Sequence, residues 1–200
     1  MPRFLHVGCG PKRKGQTVAA FGSDEWDEVS LDIDESVMPD VVDKLPDLET
    51  VEAESYDAVY SAHNIEHLYP HEVGTALRSF LRILKSNGFA IITCPDLQGI
   101  GERIAAGDIA EPIYHSPMGP VSPLDMLYGF RPAVAKGNLY MAHHCGFTLK
   151  SLREACKEAG FRTFAGFRRV ERYELWCLAT KSAVTKDELI DLRKRYLVPV

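Results

Sequence analysis

"FLHVGCGPKRKG", residues 4–15, is a short apolar run that ends in closely spaced glycines, the pattern of a buried strand turning tightly into the next element. In an open parallel sheet, ligands bind beyond the carboxyl ends of the strands, so Gly8 and Gly10 stand at a candidate binding edge. A dinucleotide fingerprint GxGxxG needs its third glycine at position 13, where close helix approach leaves room for a pyrophosphate. This chain has Arg13 there, and Gly15 comes two residues late. A phosphate loop GxxxxGK[ST] can be laid from Gly10 to Gly15, but Gln16 and Thr17 follow where Lys and Ser or Thr are required. By itself the loop also fits a bare strand-to-helix turn. The second strand, "VSLDI" (29–33), narrows the choice. It runs into Asp32 and Asp34 about twenty residues past the loop, where a carboxylate can accept the ribose hydroxyls of a nucleoside.

Outward from this edge the chain alternates strands and helices. "YDAVYSA" (56–62) reads as a further strand. A helix follows, with Val73, Leu77, Phe80, Leu81 and Leu84 on one face, Pro70 in its first turn and Gly88 as its stop. "FAIITCP" (89–95) is the continuous apolar run of a parallel strand covered on both faces. Thr148 opens an amphipathic helix closed at Gly160, and "FRTFAGF" and "RYELWCLATK" follow as two strands that can pair antiparallel. Thr185 and Glu188 stand at capping-box spacing for a final helix at about 185–197. The expected architecture is a Rossmann-like, doubly wound α/β sheet in three αβα layers, with a C-terminal antiparallel strand pair. One domain over residues 1–200 is expected to carry a lid-like insertion at about 97–147, rich in Pro, Gly, Tyr, Met and His, with only short helical stretches.

Composition narrows the classes of partner. A net charge of −5 argues against nucleic acid or an anionic membrane as ligand. The five cysteines are scattered without a CxxC, which fits a reducing cytoplasm better than a disulfide framework or a zinc knuckle. Apolar runs are too short to span a bilayer, and the N-terminus lacks a signal-peptide apolar region, so a cytoplasmic protein is expected. The last helix, with Leu189, Leu192, Tyr196 and Leu197, can close on its own sheet or pack against a second copy as a homodimer.

In order along the chain, "HVGCG", "SLDID", "DVVDKLPDL", "YDAVYSAHNIEHL", "LRILKSNGFAIITCPD" and "GFTLKSLREACKEAGF" resemble the class I S-adenosylmethionine-dependent methyltransferases of the small-molecule type, over roughly residues 4–96 and 146–181. The resemblance implies S-adenosylmethionine as cofactor, S-adenosylhomocysteine as its product, and methyl transfer to O or N of a small-molecule or glycan-like acceptor. It also implies that Gly8, Cys9 and Gly10 admit the cofactor's amino-acid and ribose portions, with a contact from Pro11. Asp32 would hold the ribose hydroxyls and Ile33 the adenine; Asp43, with Lys44 and Leu45 beside it, occupies the acidic position that reads the adenine amino group. Ala62 and His63 would line the methionine end, and Glu66 and His67 begin the next helix. The polar, glycine-broken stretch from Gly10 to Asp32 departs from the family in leaving the first helix short or irregular.

Transfer to a hydroxyl or a protonated amine requires removal of a proton. Among lid residues His143, then His115, are the candidate bases, and Tyr114, Asp125, Tyr128, Arg131 and Tyr140 the candidate acceptor contacts. Met118, Met126 and Met141 suit an adaptable apolar pocket or ordinary loop packing. His63, His67 and His71 would stack on one continuous helix like metal ligands, but Pro70 interrupts that helix and HExxH is absent, so no metal is expected there. Adjacent His143 and His144 should point to opposite sides of an extended segment. Two alternatives stay open: a non-catalytic methyltransferase-like subunit, and a nicotinamide-dependent oxidoreductase.

Overall fold

The computed structural model describes residues 1–116 and 118–197. The first half runs β1 (Arg3–Val7), α1 (Ala19–Gly22), β2 (Asp27–Asp32), β3 (Val41–Val42), β4 (Tyr56–Ala62), α2 (Pro70–Ile83) and β5 (Leu84–Pro95). An insertion holds α3 (Leu97–Ala105), β6 (Tyr114–Ser116), β7 (Gly119–Val121), α4 (Pro123–Tyr128) and α5 (Arg131–Val134). The chain then forms α6 (Leu149–Ala159), β8 (Thr163–Arg169), β9 (Glu174–Thr180) and α7 (Lys186–Tyr196). Among the described residues no helix is long and apolar enough to cross a membrane.

Seven strands make one sheet in the order β3-β2-β1-β4-β5-β9-β8, parallel from β3 through β5 and antiparallel across β5, β9 and β8. The winding direction reverses between β1 and β4, which opens a crevice beyond their carboxyl ends. Alternation along the strands sorts two cores. Leu5, Val7, Val59, Ile92 and Cys177 pack under Leu77 and Phe80 of α2 and Leu152 and Cys156 of α6. Phe4, Ala58, Tyr60, Phe89 and Trp176 pack on the other side against Phe21 of α1 and Tyr196 of α7, with Leu189 and Leu192 beside them. The last helix therefore closes on its own sheet.

The stretch from Gly10 to β2 is irregular, as its glycines imply: a 3₁₀ turn at Lys14–Gln16 and the four-residue α1. Partly buried Glu28 fixes it, accepting the Lys14 N–H at 2.7 Å through one oxygen while the other lies 2.7 Å from His6 Nδ1. Helix α2 stops at Ile83 and not at Gly88. Its last carbonyls, on Arg82 and Ile83, accept the N–H groups of Glu54 and Ser55, and β5 starts at once. Gly88 instead lies inside β5, where a Cβ would come 2.9 Å from Leu84 and 3.1 Å from the Asp57 carbonyl.

The insertion is more ordered than its composition predicts. Asp96 caps the nine-residue α3 by accepting the Gln98 N–H at 3.1 Å. Glycines 99 and 101 conceal this helix in the sequence; at Gly99 a Cβ would press on Tyr173 at 3.1 Å. Ile100, Val121 and Met126 form a small third core, joined by Ile104, Ile113, Tyr114, Leu127 and Tyr173.

Candidate functional site

At the crevice, β1 ends and the backbone bends through Gly8 (φ +62°) and Gly10 (φ +52°), conformations that only glycine adopts without strain. A Cβ on Gly8 would stand 2.4 Å from Asn64 Nδ2, so this turn also makes room for the chain beyond β4. Between them Cys9 points into the protein, and its N–H donates to the Leu31 carbonyl at 3.1 Å. The Asp32 carboxylate accepts the Gly10 N–H at 2.7 Å and the Asp34 N–H at 3.0 Å. These bonds use two of about four acceptor positions on a carboxylate, leaving two for a ligand.

Arg13 binds this loop to the one after β2. Its guanidinium donates to the carbonyls of Gly10 (3.1 Å) and Lys12 (2.7 Å), and to those of Val37 (2.8 Å) and Met38 (2.9 Å). The side chain thus fills the place where a dinucleotide loop keeps a bare glycine.

A cavity of about 490 Å³ opens here. Gly8, Gly10, Pro11, Asp32 and Ile33 form one side, and Asp43, Lys44 and Leu45 the next. His63, Asn64 and His67 form the floor, and Asn138, Tyr140, Met141 and His144 reach over from the insertion. Of the residues expected at a cofactor, Cys9 and Ala62 do not line it. Asp43 spends most of its acceptor capacity on its own loop, taking the N–H of Lys44 (2.7 Å) and both the N–H (2.8 Å) and hydroxyl (2.6 Å) of Thr50. Burial raises its pKa, but these hydrogen bonds outweigh that and keep it below the usual carboxylate value.

Below the cavity lies a polar cluster that sequence spacing does not reveal, because it joins residues 111 positions apart. His63, itself at φ +53°, lies with Nε2 2.7 Å from Glu174 Oε1 and Nδ1 3.2 Å from Glu66 Oε1. Burial lowers its pKa, but the two carboxylates prevail and push it up to about 10. Trp176 Nε1–H donates to the second Glu174 oxygen at 2.6 Å. Glu66 is fully buried, and among the described residues its Oε2 has no hydrogen-bond partner; nor has Asn64 Nδ2. Glu66 and His67 belong to a 3₁₀ turn (Ile65–His67), and α2 starts only at Pro70, so the three histidines at 63, 67 and 71 share no helix.

His143 and His144 point apart, as expected of neighbours on an extended segment. His143 lies beneath the cavity, its Nδ1 2.9 Å from the Met126 carbonyl and its ring centroid 4.9 Å from that of His67; burial lowers its pKa. His144 is exposed, lines the cavity and stacks on Tyr69 at 4.3 Å. His115 is exposed on β6 and does not reach the cavity. Of the expected acceptor contacts, Tyr140 alone lines it. Tyr114 packs in the small third core, and Tyr128 is 62% exposed. Met126 serves that same core, Met118 is exposed, and Met141 reaches the cavity.

Asp125 and Arg131 hold the insertion together. Arg131 Nε donates to Asp125 Oδ1 at 2.8 Å, while Asp125 Oδ2 accepts the N–H (2.9 Å) and hydroxyl (2.7 Å) of Ser122 at the start of α4. Burial raises the Asp125 pKa, but these bonds outweigh it and hold it at about 2. A lowered folded-state pKa stabilises above the unfolded value, near 3.9, and the contribution is lost as pH falls toward the folded value. Urea titrations should therefore find wild type about 2 kcal/mol more stable than Asp125→Asn from pH 7 down to about 5, a gap that closes toward pH 2. A gap independent of pH would assign the loss to packing instead.

Residues 5–92 match the family model of a methyltransferase domain. Among solved structures, the chain is similar to a SAM-dependent methyltransferase from Archaeoglobus fulgidus (16% identity, TM-score 0.55, covering 90% of this chain and 86% of that one). It is also similar to the Burkholderia thailandensis 1,6-didemethyltoxoflavin-N1-methyltransferase, determined with 1,6-didemethyltoxoflavin and S-adenosylhomocysteine bound (16% identity, TM-score 0.55, covering 91% and 72%). A SAM-dependent methyltransferase from Aquifex aeolicus is a third (11% identity, TM-score 0.54, covering 90% and 82%). No curated protein sequence matches the chain. The methyltransferase-domain match over residues 5–92 takes in the glycine turn at the reversal point and runs from β1 into β5, and over about 90% of the chain the fold is similar to that of solved SAM-dependent methyltransferases.

Proposed function

We propose that the cavity binds S-adenosylmethionine and that the protein transfers its methyl group to an oxygen or nitrogen of a small molecule held under the insertion. The observation that carries this reading is the placement of Asp32, two acceptor positions free, at the rim of a cavity between the glycine turn and the Asn138–His144 segment. The donors present suit the cofactor. Asp32 would accept the ribose hydroxyls, Ile33, Val37 and Leu45 would cover the adenine, and the unpartnered Asn64 Nδ2 would serve the amino-acid end. S-adenosylmethionine supplies a methyl group already activated on a sulfonium. The chain's own work is to hold the acceptor in line, exclude water and take up a proton where the acceptor has one. Tyr140, Met141 and His144 stand where an acceptor would enter, and His144 is the imidazole of this wall.

S-adenosylhomocysteine at millimolar concentration should raise the melting temperature, and NADH should not. Asp32→Ala should weaken cofactor binding about 5- to 150-fold, roughly 1 to 3 kcal/mol. A shift with NADH alone would return the oxidoreductase reading. Cofactor binding without methyl transfer to any acceptor would leave a non-catalytic subunit.

A further inference from the structure

We infer that Glu66, His67 and His143 form a binding site for a divalent transition-metal ion in the floor of the cavity. Each offers a ligand atom, and these atoms lie within 4.8 Å of one another. Tetrahedral ligands about 2.1 Å from an ion stand roughly 3.4 Å apart, so side-chain adjustments of about an ångström complete the site.

Three features favour an ion over chance proximity. The first is the tautomer of both rings. His67 Nδ1 is 2.9 Å from the Ala142 carbonyl and His143 Nδ1 is 2.9 Å from the Met126 carbonyl; a carbonyl only accepts, so each Nδ1 carries a hydrogen. Each neutral ring then keeps its lone pair on Nε2, with its orientation held from behind by main chain, the arrangement that supports metal-binding histidines. The second is Glu66. One oxygen is engaged by His63, while Oε2 is fully buried without a partner, an arrangement that is costly unless something supplies positive charge or a hydrogen there. The third is the main chain around the three ligands. The N–H groups of His144 (2.9 Å) and Cys145 (3.2 Å) both donate to the Glu66 carbonyl, which fixes the segment carrying His143 against the turn carrying Glu66 and His67.

Two imidazoles and one carboxylate suit Zn²⁺, Co²⁺ or Fe²⁺ better than Mg²⁺ or Ca²⁺, which prefer oxygen throughout. Three protein ligands leave at least one coordination position for water or a bound molecule. Because His67 also lines the cavity, the ion would stand in its wall. The set differs from the 63, 67 and 71 spacing, which shares no helix; His143 joins it only because the insertion folds back onto the turn after β4.

The test is Co²⁺ and Zn²⁺ titration of the full chain, prepared without a histidine tag and stripped with chelator. One equivalent of Co²⁺ should bind, giving visible absorption and strongly shifting the NMR signals of the His67 and His143 Nδ1–H protons. Zn²⁺ should displace it. Glu66→Gln and His143→Gln should each weaken binding at least about tenfold. Wild-type protein that binds neither ion at one equivalent, or binds no more tightly than both variants, overturns the site. Should a variant fail to fold, the proton shifts in wild type decide the matter: unshifted Nδ1–H signals with Co²⁺ bound elsewhere also overturn it. S-adenosylhomocysteine melting shifts on the same samples separate this from the methyltransferase reading, since either can fail alone.

Discussion

Gly129→Ala is expected to detach the insertion from the cavity. Gly129 adopts φ +90°, and a Cβ there would lie 1.8 Å from the Met141 carbonyl oxygen and 2.8 Å from Ala142 Cα. Both neighbours are main chain, so no side-chain rotation relieves the overlap. The same glycine forms a β-bridge with Ala142, and next to it the His143 N–H donates to the Tyr128 carbonyl at 3.3 Å. Opening this contact releases Tyr140, Met141 and His144 from the cavity and His143 from His67. Backbone strain and overpacking together should cost about 3 kcal/mol or more locally. Hydrogen exchange at the amides of His143 and His144 should accelerate about a hundredfold or more, with S-adenosylhomocysteine affinity falling alongside. Gly101→Ala is the contrast: it lies in helix α3 with open space around the added carbon, and should be neutral or slightly stabilising. Equal protection in wild type and Gly129→Ala would mean that the two segments are not held together as described.

Phe21→Ala should cost about 3 to 5 kcal/mol of global stability. Helix α1 is only four residues long, and Phe21 is its buried residue. Its ring is stacked on Phe4 at 4.4 Å and meets Trp26 at 4.9 Å, Tyr196 at 5.3 Å and Tyr60 at 5.9 Å. Truncation forfeits those contacts and leaves a void among rigid rings that collapse poorly. Urea unfolding followed by tryptophan fluorescence gives the number. A loss below about 1 kcal/mol would show that neighbouring rings refill the space.

Elements with a local cause were legible in the sequence. The Thr148 and Gly160 ends of α6 and the Thr185–Glu188 cap of α7 are written in the residues that form them. So was the glycine turn with Asp32, because strand, turn and acid follow one another in order. The two-residue β3 is too short for any periodicity, and α2 ends through carbonyls capped by residues 54 and 55 in the distant turn before β4. The His63–Glu66–Glu174 cluster depends on β9 lying beside β5, which no spacing encodes. The insertion misled for a related reason. Its polar residues, Asp125 and Arg131 above all, bind each other, while the residues that reach the cavity stand in the short stretch from Asn138 to His144.

The ring cluster around Phe21 also sets a schedule for biosynthesis. Phe21 leaves the ribosome about 175 residues before Tyr196, whose ring packs 5.3 Å from its own. At roughly 5 to 20 residues per second, that interval lasts about 10 to 35 seconds. Throughout it, one flank of the nascent sheet keeps its aromatic side chains uncovered, at the stage when newly made chains most readily engage chaperones or one another.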